Sequence, residues 1–172
     1  MAGRRSRALE NWRRDALRRI VASREATLAF VARLPKHEVQ RPRMLDRWSV
    51  KDVLGHLLGC DEETVRRFRL IARGHAERIH WFESMVDADR FNARCVARVR
   101  RLGLRALLRR RTRVQADLVR WLRRVPAQAL RDPAHEYPVT QWLPAPGWSH
   151  EREHLAEIKA WWRAQSRPRS DP

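Results

Sequence analysis

The sequence predicts an all-α fold, a four-helix bundle that is up-and-down with one longer connection. Apolar side chains recur with the 3.6-residue period of a helix in four segments, and prolines and glycines separate or interrupt these segments. No stretch alternates between apolar and polar side chains as a half-buried strand does. Amphipathic helices of this kind bury their apolar faces against one another.

The first helix is predicted over residues 8–34. Its apolar side chains follow the helical period until Pro35, which ends it. Residues 35–48 contain two prolines and are interpreted as a connecting loop.

The second helix is predicted to begin after Ser49 and to end at Gly74. Ser49 and Asp52 have the spacing of a capping box. Gly74 suits a helix end because glycine adopts the left-handed conformation there without strain. Gly55 and Gly59 weaken the helix by about 1 kcal/mol each relative to alanine, and they allow a neighbouring helix to approach closely.

The third helix is predicted over residues 88–125, with an interruption at Gly103. Residues 75–87 before it fit either a loop or a short helical excursion. Residues 126–148 contain five prolines and are interpreted as an extended loop laid over the domain. Ser149 is expected to cap the last helix, which runs to about residue 165.

One domain over residues 8–165 accounts for most of the 172-residue chain. Residues 1–7 are expected to form a basic tail and residues 166–172 a disordered tail. No run of about 18 apolar residues predicts a membrane span, and no apolar segment with a cleavage site predicts a signal peptide. Together with two thiols outside any CxxC pair, Cys60 and Cys95, this favours a cytoplasmic location without a membrane partner.

The charge is strongly basic. Thirty-eight basic residues against 20 acidic ones give a net charge of +18 and an isoelectric point near 11.7. Such a charge attracts nucleic acid without sequence specificity. A compositional explanation competes with this one. Nearly all basic residues are arginine, as a GC-rich genome produces, and they are interpreted as spread along all the helical segments.

Near the carboxyl end, His150 and His154 lie four residues apart in the sequence H-E-R-E-H. This spacing puts both imidazoles on one helix face, where they can share a metal ion. The sequence also matches the H-E-x-x-H motif of zinc proteases. A protease is nevertheless not expected, because no suitable third ligand follows and no strand is predicted to hold a peptide. Glu151 and Glu153 are interpreted as solvated charges.

His56 is the candidate third ligand, since it lies on the apolar face of the second helix. A lone histidine there is more often a core residue, but the pair on the last helix changes that expectation. Three imidazoles leave metal positions open for water or substrate, as in catalytic sites. The ligand set suits zinc, nickel, iron or manganese. An open position can supply hydroxide for hydrolysis or hold a thiolate for transfer onto an electrophile.

Several neighbours of these histidines have two interpretations. Asp52 caps the second helix and can also orient His56 from one turn away. Cys60, one turn beyond His56, is a fourth ligand or a small buried core residue. Trp48 and Trp148 each precede a serine at a predicted helix start, so they line a pocket entrance or act as hydrophobic staples.

Three segments together resemble the DinB-like superfamily of bacterial four-helix bundles, which includes the DinB and YfiT types and the ClbS/DfsB group. These segments are WSVKDVLGHLLGCDEE, DADRFNARCV and WSHEREHLAEIKAWW. The family combines a tryptophan-serine pair before the second helix, a histidine about seven residues on, and H-x-x-x-H in the last helix. The resemblance covers residues 9–163. It implies His56, His150 and His154 as metal ligands, and it suggests Asn92 as a pocket residue.

The resemblance implies a metal-centred pocket, often in a homodimer, but not one reaction. Relatives include thiol-dependent transferases and isomerases and self-protection proteins. We therefore expect a divalent-metal enzyme, a hydrolase or thiol transferase, that acts on a small electrophilic or toxic compound, with a low-molecular-weight thiol as a further cofactor. Two alternatives stay open. One is a basic DNA-associated protein with a structural or vestigial triad, and the other is a non-catalytic metal- or ligand-binding protein.

Overall fold

The structure is a computed structural model that describes residues 2–42, 48–132 and 137–165. Most of the described residues are helical, and none of them forms a strand. The longer helices are α1 (Ala2–Val31), α3 (Val50–Ala72), α4 (Met85–Arg100), α5 (Leu104–Arg124) and α7 (His150–Gln165). The shorter elements are α2 (Lys36–Gln40), α6 (Val139–Trp142), the 3-10 turns Ala76–Arg78 and Gln128–Leu130, and a π-helical turn, Ala145–Ser149.

Four of these helices form a closed ring. α1 packs against α5 and α7, and α3 packs against the same two helices from the opposite side. α4 packs on α3 outside this ring. The predicted all-α bundle is therefore confirmed, with its apolar core between α1, α3, α5 and α7.

The contact between α3 and α4 depends on two glycines. A Cβ atom added to Gly55 would lie 1.9 Å from Cγ2 of Val99, and one added to Gly59 would lie 2.1 Å from Sγ of Cys95. Only glycine lets the helices approach this closely, as the sequence predicted. Because residue numbers rise along α3 as they fall along α4, the two helices are antiparallel.

α5 runs parallel to α3. Near the start of α5, Arg111 donates to the carbonyl of Leu54 at 3.2 Å, and further along Asp117 lies 3.5 Å from Arg69. α4 and α5 are thus antiparallel to each other, and α4 is the longer connection of the bundle. The predicted single helix over residues 88–125 is two helices, because the chain reverses direction at residues 101–103 before Gly103 begins α5.

Several boundaries differ from those predicted. α1 begins at Ala2, so its first turns include the arginines expected in a tail. The loop predicted over residues 35–48 contains α2. α4 begins at Met85, because the side chain of Ser84 accepts a hydrogen bond from the Asp87 amide. The predicted disordered tail, residues 166–172, lies outside the described residues.

Both ends of α3 are as predicted. The side chains and amides of Ser49 and Asp52 form a complete capping box. Gly74 has φ of 75°, the left-handed conformation that ends a helix. In the described part of the chain, every helix is too short or too polar to span a lipid bilayer.

Candidate metal centre

Three histidine side chains converge between α3 and α7. Nε2 of His150 lies 3.0 Å from Nε2 of His56 and 2.9 Å from Nε2 of His154. One ring nitrogen from each histidine lies within 4.8 Å of the others. The structure thus brings together the three residues that the sequence suggested as ligands.

The two helices position these rings from opposite directions. The capping box fixes the start of α3, and His56 follows Asp52 by one turn on the buried face, with 5% of its surface exposed. His150 and His154 occupy the first two turns of α7. The four-residue spacing directs both rings toward α3.

The approach to α7 differs from the prediction. Ser149 is the last residue of the π-helical turn Ala145–Ser149, and the amide of His150 donates to the carbonyl of Ala145. The π-helical turn therefore continues directly into α7, and Ser149 does not cap this helix. A serine followed by acidic residues occurs where the serine caps a helix and also where, as here, a helical turn continues into the helix. The sequence pattern does not distinguish these two structures.

Burial keeps two of the imidazoles neutral. Burial and the neighbouring imidazoles lower the pKa of His56 to about 3. Burial and the adjacent His154 lower the pKa of His150 to about 4. At neutral pH both rings are therefore unprotonated, the form in which imidazole binds a metal.

The third ring is oriented by a carboxylate. Nδ1 of His154 lies 2.6 Å from Oε2 of Glu157. A carboxylate accepts hydrogen bonds, so Nδ1 is the donor, and this tautomer leaves Nε2 as the nitrogen that can bind a metal at the centre. Carboxylates commonly orient metal-binding histidines in this way. The three-residue spacing of Glu157 from His154 is the signal in the sequence for this contact.

The arrangement fits a metal ion. Two imidazole nitrogens bound to one ion at about 2.0–2.1 Å lie roughly 2.8–3.0 Å apart as adjacent octahedral ligands and roughly 3.3–3.4 Å apart in tetrahedral coordination. The observed separations of 3.0 and 2.9 Å match the octahedral spacing. A proton on one nitrogen can satisfy only one such contact, whereas a cation satisfies all three lone pairs together.

Comparison with known families agrees with this geometry. The sequence model of the DinB family, described as the DinB superfamily, matches residues 19–158. The chain belongs to the DinB superfamily. Neither the curated proteins nor the solved structures include a significant match to it. Membership and the histidine triad together fit a metal-binding DinB-type protein.

Two further side chains border the triad of this DinB-superfamily protein. Sγ of Cys60 lies 4.0 Å from both ring nitrogens of His56. Burial and the charge of Asp61 raise the pKa of the Cys60 thiol to about 12, so it stays protonated. The Trp48 ring lies 5.5 Å from the His56 ring, centroid to centroid, while it packs against the core. Trp48 therefore covers one side of His56.

Asp52 does not contact His56 through any hydrogen bond among the described residues. Oδ2 of Asp52 accepts bonds from the amide and the hydroxyl of Ser49, at 3.0 and 2.9 Å. Oδ1 lies 3.2 Å from Nε of Arg100 on α4. Of the two predicted roles, the structure shows the cap.

The other two suggested pocket residues, Trp148 and Asn92, lie in the turn before α7 and on α4. Trp148 is 8% exposed and belongs to the core, where the Arg19 guanidinium lies 5.6 Å from its ring centroid. The two predicted roles of Trp148, lining a pocket entrance or acting as a hydrophobic staple, stay predictions. Asn92 is half-buried on α4, and its role in a pocket stays a prediction.

Glu151 was predicted to be solvated, and this was wrong. It is 1% exposed, and its Oε1 accepts a hydrogen bond from Arg111 of α5 at 2.6 Å. Burial favours the neutral acid, but the guanidiniums of Arg111 and Arg24 outweigh it, and the pKa of Glu151 is lowered. Glu153 is exposed, as predicted.

A second buried ion pair lies beside the first. Arg24 of α1 pairs with Asp61 of α3, and each is 2% exposed. Arg24 also donates to the carbonyl of Gly147, just before α7. Each arginine therefore bonds to α3 and also to α7 or the turn that precedes it, which fixes the two segments that carry the triad relative to each other.

Proposed function

We propose that the protein binds one divalent metal ion through Nε2 of His56, His150 and His154. We further propose that it is a metal-dependent enzyme, a hydrolase or a thiol transferase, acting on a small electrophilic compound. The observation that carries this is the convergence of three imidazole nitrogens from two helices, one of them buried and two part-buried. An ion held this way supplies a Lewis acid with free positions, which can acidify water or hold a thiolate.

The surrounding side chains prepare these nitrogens for an ion. Glu157 fixes the tautomer of His154 through the Nδ1 hydrogen bond. The neutral rings of His56 and His150 present lone pairs without first losing a proton. The buried pairs Arg24–Asp61 and Arg111–Glu151 hold the two helices at a fixed separation. A site preorganised in this way binds an ion with little rearrangement.

The site also has the access that an enzyme needs. The set contains three donors, and the Cys60 thiol is not one of them. Structural zinc sites are closed by a fourth protein ligand, whereas catalytic sites keep a position open. His154 has 13% of its side chain exposed, so the centre is reachable from one side while Trp48 covers another. A small substrate fits this partial access better than a polymer.

The proposal also includes features that rest on the family resemblance. These are a low-molecular-weight thiol as co-substrate, a homodimer, and a role in stress or self-protection. None of them is needed for the metal centre itself.

Turnover tests the enzymatic part. The apo protein would be loaded separately with zinc, nickel, iron and manganese, and assayed for thiol conjugation to electrophiles and for hydrolysis of strained or activated small molecules. We expect turnover with at least one metal, and its loss in His150→Ala. His75→Ala is the matched control, because His75 is 45% exposed outside the bundle helices. Metal bound without turnover on either substrate class would favour a non-catalytic metal-binding protein.

A further inference from the structure

Basic residues occur on all the longer helices, as expected from the sequence, but the net positive charge differs between them. α3 carries four basic and four acidic residues, and α7 carries three of each. α5 carries eight arginines and one acidic residue, Asp117. A compositional bias toward arginine would give every helix a similar excess. The neutral helices hold the histidine triad, whereas the charge is concentrated elsewhere.

Seven of the eight arginines of α5 divide into a paired and an outer set, and the eighth, Arg124, lies 5.1 Å from the ring centroid of Trp121. Arg110 and Arg111 pair with Glu62 of α3 and Glu151 of α7. The outer set is exposed to solvent and lies on one face of the helix by its three- and four-residue spacing. We call this set the arginine stripe: Arg105, Arg109, Arg113, Arg120 and Arg123. At 1.5 Å per residue the stripe is about 27 Å long.

The arginine stripe is poorly compensated within the chain. Arg120 pairs with Asp117 at 2.6 Å. The other four members form no ion pair with any residue in the ranges that the structure describes. Like charges four residues apart on a helix destabilise it, and Arg105, Arg109 and Arg113 have this spacing. An anionic partner would remove this repulsion.

The side chains between the arginines are short, and the surface there is open to solvent. Thr112 and Ala116 lie on the same face, and a shallow cavity of about 540 Å³ opens there. The cavity is lined at one end by Arg120, Arg123 and Arg124. Its lining combines guanidinium groups with short side chains, which leaves room for an anionic group to reach several arginines at once.

The shape and composition of the stripe favour one class of polyanion. A membrane-binding helix exposes large apolar residues beside its basic ones, but the exposed residues of α5 are arginine, threonine and alanine. Single-stranded nucleic acid requires exposed aromatic rings for stacking, whereas Trp121 is half-buried against Arg69, Arg73, Arg120 and Arg124. A straight row of guanidiniums suits the dense, regular phosphates of a duplex, which arginine binds through paired hydrogen bonds.

We propose that the solvent-facing side of α5 binds duplex DNA through its phosphates, independently of base sequence. The contact uses the arginine stripe of α5, whereas the histidine ligands lie on α3 and α7. DNA binding therefore requires no metal. This inference goes beyond the proposed enzyme and does not depend on it.

Salt-dependent binding of a 20-base-pair DNA duplex, followed by fluorescence anisotropy, tests the proposal. Each neutralised phosphate contributes about −0.9 to the slope of log K against log salt concentration, so five contacts predict a slope of about −4.5. The triple variant Arg105→Gln/Arg109→Gln/Arg113→Gln should reduce this slope by about 2.7 and weaken binding at least tenfold at low salt.

The matched control removes the same charge from other helices. Arg94→Gln/Arg152→Gln/Arg163→Gln changes three exposed arginines on α4 and α7 that form no ion pair within the described ranges. Circular dichroism would check that both variants fold. The proposal predicts that the control keeps the wild-type slope to within one contact. An equal loss in both variants would overturn it in favour of net charge alone. Anionic vesicles that displace the duplex from α5 with equal affinity would overturn it in favour of a membrane.

Discussion

Replacement of Arg111 by methionine should destabilise the protein strongly, because it leaves a buried carboxylate without its partner. Arg111 and Glu151 are 2% and 1% exposed and 2.6 Å apart. The substitution also removes the donor to the Leu54 carbonyl. Methionine keeps most of the side-chain length, so the loss of packing is small compared with the loss of charge.

The magnitude follows from the burial. Removal of one partner from a buried ion pair costs about 3–5 kcal/mol, because the remaining charge is left uncompensated. For a chain of this length that corresponds to a fall in Tm of roughly 6–20 °C. The double variant Arg111→Met/Glu151→Leu removes both charges and should recover most of this stability, since apolar replacement of a buried pair is often neutral or stabilising.

Urea denaturation of the two single variants and the double variant forms a complete cycle. The control is Arg18→Met, whose pair with Asp15 is exposed, with 77% and 35% of the side chains accessible. An exposed pair of this kind contributes about 0.3–0.5 kcal/mol. A loss below 1 kcal/mol in Arg111→Met, or a double variant less stable than either single one, would show that Arg111 does not compensate a buried charge on Glu151.

Three further predictions concern other parts of the molecule. Gly59→Ala should destabilise the protein by about 1–3 kcal/mol in urea denaturation, because its Cβ would lie 2.1 Å from a cysteine sulfur of α4, whereas Gly3→Ala adds a methyl group to open space and should not. Glu157→Gln should weaken metal binding about 10–100-fold in a chelator competition, with unchanged stability of the apo protein, because it removes the anionic partner of His154; unchanged affinity would contradict the assigned role. Burial raises the pKa of Glu63, but the guanidiniums of Arg66 and Arg67 outweigh it, and the net effect is a lowered pKa. The contribution of Glu63 to stability is therefore complete above the ordinary pKa of glutamate. It is lost as the pH falls through the lowered pKa of the folded protein. Glu63→Gln should therefore reduce the drop in Tm between neutral and acid pH, and an identical acid profile would argue against the pairing.

The triad was predictable because its signals are local or shared by a family. The four-residue spacing of His150 and His154 defines a helix face without knowledge of the rest of the fold. The inward direction of His56 follows from its apolar neighbours on α3. The capping box and Gly74 are likewise local, and both ends of α3 are as predicted.

The errors arose where distant contacts decide the outcome. Glu151 looks like a surface charge in its own helix, and its buried charge is compensated by distant residues, Arg111, 40 positions earlier, and Arg24. The division of residues 88–125 into two helices depends on α3, against which both halves pack. Gly103 signalled an interruption but not a reversal, since a glycine is compatible with either. The uneven charge could have been found in the sequence by counting each helix separately.

Metal content is the most direct test of the central claim, that the three histidines form one metal centre. Elemental mass spectrometry of the purified wild type beside His56→Ala measures it, with folding of the variant checked by circular dichroism. If the three histidines bind one ion, the wild type should hold about one divalent ion per chain and a folded His56→Ala should hold little. A wild type that holds no metal even after reloading, or a variant that holds as much as the wild type, would contradict this claim.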